Sequence, residues 1–121
     1  MARVDHDVEQ FFEGSPRGLE LYAVIAERVG SIGPAQVRVT KSQIAFRRQR
    51  GFAYVWRPAQ YVRSDVPVVL SIALGRRLAS DRFKEVAHPA AATWMHHLEL
   101  TDVDQVDDEV IHWLAEAYER A

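Results

Sequence analysis

Residues 41–58 read KSQIAFRRQRGFAYVWRP, two runs of alternating side chains joined by an arginine-rich tip. With residues 47–51 as the loop, period-two alternation sets Phe46 opposite Phe52, Ile44 opposite Tyr54 and Ser42 opposite Trp56. The bulky residues of both runs then share one side, as two neighbouring antiparallel strands above a core require.

Working outward from this hairpin, residues 36–40, 43–47, 52–57, 66–74 and 94–100 read as extended runs, with a shorter one at 83–87. The connections between them hold no long periodic helix, so an antiparallel meander is expected rather than parallel strands with crossovers. Helical spacing appears at both ends of the chain. Val4, Val8, Phe11 and Phe12 mark a short opening helix that Gly14 ends. Ser15 and Pro16 then start a second, with Leu19, Tyr22, Ile25, Ala26 and Val29 as its apolar stripe and Gly30, Gly33 and Pro34 at its end. Val103, Val106, Val110, Trp113, Leu114, Ala117 and Tyr118 mark the last, whose early acidic residues suit the positive end of a helix dipole. The expected fold is one α+β domain over residues 1–121. It is two-layered, an antiparallel sheet of five or six strands with N- and C-terminal helices packed on one face.

Length and composition set limits on function. A chain of 121 residues with 48% hydrophobic and 26% charged content fits one globular domain. The absence of cysteine excludes disulfides, thiolate metal sites and a cysteine nucleophile, and suits a cytoplasmic protein. No signal peptide or membrane-length apolar run is visible. A net charge of −2 argues against a general nucleic-acid binder. Charge is unevenly placed, with Arg47, Arg48, Arg50, Arg57 and Arg63 in the middle and Asp102, Asp104, Asp107, Asp108 and Glu109 near the end.

Strict alternation along the strands assigns Val37, Val39, Ile44, Phe46, Phe52, Tyr54, Trp56, Val68, Leu70, Ile72, Trp94, Leu98 and Leu100 to the helix-covered face. The reverse face then carries Arg38, Thr40, Ala45, Ala53, Val55, Arg57, Val69, Ser71, Ala73, Met95, His97 and Glu99. A floor of Ala45, Ala53, Ser71 and Ala73 ringed by Arg38, Arg57, His97 and Glu99 would form a shallow polar groove. Three readings compete for it: a solvated surface, a homodimer interface, and a site for a ligand or peptide.

His96 and His97 are strand neighbours, so they point to opposite faces and cannot chelate one ion together. His96 is expected to be buried and hydrogen-bonded, and His97 to lie on the reverse face, where Glu99 gives it the one acid–base pairing of suitable spacing. Nothing like a His-Glu-x-x-His motif, a phosphate loop or a nucleophile elbow occurs, so no metal, cofactor or standard catalytic signature is expected. Phe52, Tyr54 and Trp56 resemble a base-stacking platform in spacing, but alternate large residues are more simply core.

EGSPRGLELY near the start, RVTKSQIAFRRQRGFAYVWRP in the middle, and RFKEVAHP with WMHHLEL towards the end resemble the uncharacterised bacterial family known as domain of unknown function fifty-six fifty-five. The most specific of these residues are Lys41, Ser42, Ile44, Phe46, Trp56, Lys84 and the His96–His97 pair. The resemblance implies a domain of this size, carries no activity or cofactor with it, and draws attention to Lys41, Lys84 and one histidine as a convergent polar cluster. The functional expectation is a non-catalytic binding or interaction module, with Lys41, Arg57, Lys84 and His97 as contacts to a small anionic ligand or a protein partner. The alternatives are a small enzyme acting on a phosphorylated or carboxylated substrate with His97 as acid or base, and a structural homodimer through the open sheet face.

Overall fold

The computed structural model describes residues 6–121. Two helices, α1 (His6–Phe11) and α2 (Pro16–Ile32), precede six strands, and α3 (Asp108–Arg120) closes the chain. The strands are β1 (Gln36–Val39), β2 (Ile44–Arg47), β3 (Gly51–Trp56), β4 (Val68–Leu74), β5 (Glu85–Ala90) and β6 (Thr93–Leu100). Of the opening helical pattern, Val4 lies outside the described residues.

Local chemistry sets the helix limits. Gly14 adopts φ +80°, the left-handed conformation that ends α1. The Ser15 hydroxyl then accepts the Gly18 N–H at 3.2 Å, and Pro16 occupies the first turn of α2. Asp107 caps α3 by accepting the Val110 N–H at 3.2 Å, with Asp108 and Glu109 following at the positive end of the helix.

All neighbouring strands are antiparallel, in the order β1-β2-β3-β4-β6-β5. This differs from a simple meander in one respect. β6 pairs with β4, and β5 is displaced to the outer edge, because β4 and β6 match over seven residues from Val68↔Leu100 to Leu74↔Trp94. The long apolar β4 thereby sits in the middle of the sheet, and all seven of its residues are buried.

The helices share one face. Leu21, Tyr22, Ile25 and Val29 of α2 and Val110, Trp113, Leu114 and Ala117 of α3 join Ile44, Phe46, Phe52, Val55, Leu70, Ile72 and Leu98 in one core. Tyr22 stacks on Phe46 at 5.8 Å, and Phe52 meets Tyr118 edge to face at 5.5 Å. Ala45, Val69, Ser71 and Ala73 are also buried but stand outside that core, on the other side of the sheet.

The hairpin itself is paired differently from expectation. Phe46 opposes Ala53, Ile44 opposes Val55, Ala45 opposes Tyr54 and Arg47 opposes Gly51. The register shift at Phe46/Arg47 leaves Phe52 as an extra residue in β3, a β-bulge. Phe52 therefore faces the helices, and every later β3 residue is inverted. Ala53 and Val55 lie in the core, while Tyr54 and Trp56 occupy the second face. The predicted placement of Tyr54 and Trp56 beneath helices, and of Ala53, Val55 and Arg57 on the reverse face, is corrected accordingly. Among the described residues, no helix is long and apolar enough to cross a membrane.

Candidate functional site

Strand register builds the second face row by row. Its middle row runs through all six strands as Arg38, Ala45, Tyr54, Ser71, His97 and Glu85, each paired with the next. One row along, Trp56, Val69 and Glu99 are neighbours, and on the opposite side Ala73 and Met95 pair with Ala87.

Ser71 is the hub of this surface. The Trp56 Nε1–H donates to its Oγ at 2.8 Å, and the same Oγ lies 2.6 Å from His97 Nδ1. An indole N–H can only donate, so the serine hydroxyl has its own proton free for the histidine. His97 can accept that proton through Nδ1, in the neutral tautomer that carries its own proton on Nε2. Burial lowers the His97 pKa, against the nearby Glu85 carboxylate, which raises it. Gln43, Tyr54, Trp56, Met95 and His97 wall a shallow recess of about 330 Å³ with Ser71 at its floor. Tyr61 meets the Trp56 ring at 6.1 Å, and both Tyr61 and Val62 are largely exposed beside it, at 59% and 62%.

His96 serves the opposite face and another purpose. It is fully buried, its Nε2 accepts the Leu78 N–H at 3.0 Å, and its Nδ1 lies 3.1 Å from the Trp94 carbonyl oxygen. This histidine holds the 75–84 connection against the sheet, so only His97 of the pair is available to the second face.

The four predicted contact residues do not converge. Arg57 donates to the carbonyls of Phe11 at 3.0 Å and Glu13 at 3.4 Å, where it caps the free carbonyls at the end of α1. Lys41 is exposed in the β1–β2 turn and shares with Arg57 a cleft of about 690 Å³ that also receives Asp7 and Glu13. This cleft is larger than the recess, but its arginine is engaged structurally and its cations face carboxylates. Lys84 lies near the far edge of the sheet, with Nζ 3.1 Å from Glu99 Oε2. Four strand spacings, about 19 Å, separate the β2 side of Lys41 from the β5 side of Lys84. The cluster of Lys41, Lys84 and a histidine is therefore not assembled in this fold.

Sequence reading missed Tyr54 and Trp56 as surface residues. Their polar handles were the available signal: an indole N–H and a phenol O–H at strand positions seek partners that a purely apolar core does not supply.

A family model for a domain of unknown function, DUF5655, matches residues 8–121. No curated protein and no solved structure matches the chain.

Proposed function

The chain belongs to that family, DUF5655, whose description assigns no activity, and we propose from the geometry that the domain is a non-catalytic interaction module docking a partner through the helix-free face of its sheet. One observation carries this reading. The face presents Tyr54, Trp56 and Met95 around Ser71 and His97, with arginines towards one edge and glutamates towards the other. An aromatic and methionine centre inside a charged rim is the composition of protein-binding surfaces. Tyr61 and Val62 extend the apolar part.

A single small anion held by Lys41, Arg57, Lys84 and His97 together receives less support, because the four side chains point into different regions. A recess of about 330 Å³ lies at the lower limit for a small-molecule site.

The enzymatic alternative, with His97 as acid or base, has one observation in its favour, the short Ser71–His97 hydrogen bond. Against it, Trp56 donates to the same oxygen, and Ser71 is only 3% exposed. β4 is paired on both sides, by β3 and β6, so the backbone N–H groups around Ser71 serve the ladders rather than an oxyanion.

The test is photocrosslinking in cells. Benzoylphenylalanine in place of Met95 is expected to capture a partner chain, and the same group in place of the exposed Glu27 of α2 is not. Absence of any adduct at position 95 removes the reading. Turnover of a phosphorylated or carboxylated compound that His97→Gln abolishes replaces it with the enzymatic one.

A further inference from the structure

We infer that the partner of this face is a second copy of the same chain, related by a two-fold axis that runs along the strands between β3 and β4. The inference rests on the interaction-module reading above and adds the identity of the occupant.

The middle row of this face is self-complementary in charge. Arg38 stands on the β1 edge strand and Glu85 on the β5 edge strand, in the same row across the sheet. Both are exposed, and among the described residues neither has an ion-pair partner. A two-fold axis parallel to the strands reverses left and right while preserving the row. It therefore lays the Arg38 of each copy over the Glu85 of the other, giving two equivalent ion pairs from one geometry.

The same operation matches shape within the face. β3 carries its large residues beside the small ones of β4, with Tyr54 paired to Ser71 and Trp56 to Val69. Exchanging the two strands across the axis sets each aromatic residue above the other copy's small residue. His97 of β6 likewise falls over Ala45 of β2, since each lies one strand outside the central pair. Sheets packed in this way keep their strands within roughly 30° of alignment, as sheet twist requires.

Size is compatible with a stable contact. Five strand spacings and the length of β4 give a flat footprint of about 550 Å². Side-chain relief raises this towards the ~800 Å² per partner of ordinary interfaces.

Charge reversal tests the axis directly by sedimentation and native mass spectrometry. The wild-type chain is expected at two-protomer mass. Arg38→Glu alone creates two Glu–Glu contacts and Glu85→Arg alone two Arg–Arg contacts, so each variant should dimerise about tenfold more weakly or worse. Mixing the two variants restores both pairs, and a heterodimer should form with near wild-type affinity; a misfolded variant could not be rescued in this way. A wild-type chain that stays at one-protomer mass up to millimolar concentration overturns the proposal, as does a mixture no tighter than its components. The crosslinker at position 95 separates the two levels. If it captures a different chain, the interaction face stands and the second-copy assignment falls; if it captures nothing, both fall.

Discussion

Ser71 has a single hydroxyl, yet it fixes the orientation of two of the largest side chains on the second face. It accepts from Trp56 and is hydrogen-bonded to His97, so its removal takes a partner from both rings together. Ser71→Ala should lower stability by about 1–3 kcal/mol, the cost of leaving a mostly buried polar group unpaired. Urea unfolding followed by far-UV circular dichroism measures the loss, and tryptophan emission should shift as the Trp56 indole gains freedom. A stability equal to wild type would show that the hydrogen-bond chain contributes nothing. Gly51 raises a steric question on the same face. A Cβ built there collides with the Tyr54 hydroxyl, because the phenol lies across the hairpin end. Gly51→Ala is therefore expected to displace Tyr54 and cost about 1–3 kcal/mol, read as a lower urea midpoint. The Tyr54 Cζ also comes within 2.8 Å of that Cβ, so Tyr54→Phe should leave most of the loss in place, whereas a smaller loss on adding Gly51→Ala to Tyr54→Ala than to the wild-type chain would tie it to this contact.

At the level of elements, β3 decided how much could be read in advance. Five strands fall close to where alternation and turn residues place them, and Ser15 and Pro16 start α2 as read. β5 instead runs from Glu85 to Ala90 rather than over 83–87, and α3 begins at Asp108, after the Val103 and Val106 of its expected apolar stripe. His97 lies on the predicted face because β6 keeps strict parity from Trp94 to Leu100 opposite β4. Tyr54 and Trp56 do not, because the extra Phe52 shifts the period by one residue, and alternation carries no mark of a bulge. Phe52 is fully buried against Tyr118, so Phe52→Ala should cost about 3–5 kcal/mol, measured as a fall in urea midpoint at unchanged slope. The connection between β4 and β5 was equally invisible. It is held by contacts remote in sequence: His96 accepting from Leu78, and Arg82 reaching Asp107 at 2.9 Å, Glu109 at 3.0 Å and the Gln105 carbonyl at 2.9 Å. Arg82 also lies over the Trp113 ring at 5.7 Å. Arg82→Ala should speed amide hydrogen exchange over residues 75–84 and leave β4 protected, since β4 is held by ladders on both sides. Uniform acceleration across β4 as well would mean that this arginine supports the whole sheet rather than one connection.

For the whole molecule, the two faces of the sheet meet in its response to acid. His96 on the helix face and His97 on the second face both have pKa values lowered first by burial. Two carbonyl hydrogen bonds and Glu116 oppose the shift at His96, while Arg76 reinforces it; at His97 only Glu85 opposes it. His96 is neutral by geometry, because its Nε2 accepts from the Leu78 N–H. Protonation turns that nitrogen into a donor facing the Leu78 N–H and breaks the bond, while at His97 it is burial that opposes the charge. A histidine with a lowered folded pKa binds its proton more readily in the unfolded chain. The stability it confers is therefore intact above the ordinary value of 6.5 and is lost as pH falls below it. Asp107 shows the usual carboxylate pattern in a separate window. Burial pushes it up, the hydrogen bonds from Arg82 outweigh that effect, and its contribution is lost only below its ordinary value of 3.8. Between about pH 7 and pH 5 the histidines should thus dominate, with a slope of at most about 1.4 kcal/mol per pH unit for each. Urea midpoints measured across that range should fall with acid. His97→Gln should flatten the decline in part while His96 supplies the remainder, and a midpoint independent of pH in the wild-type chain would contradict the neutral assignment of both rings.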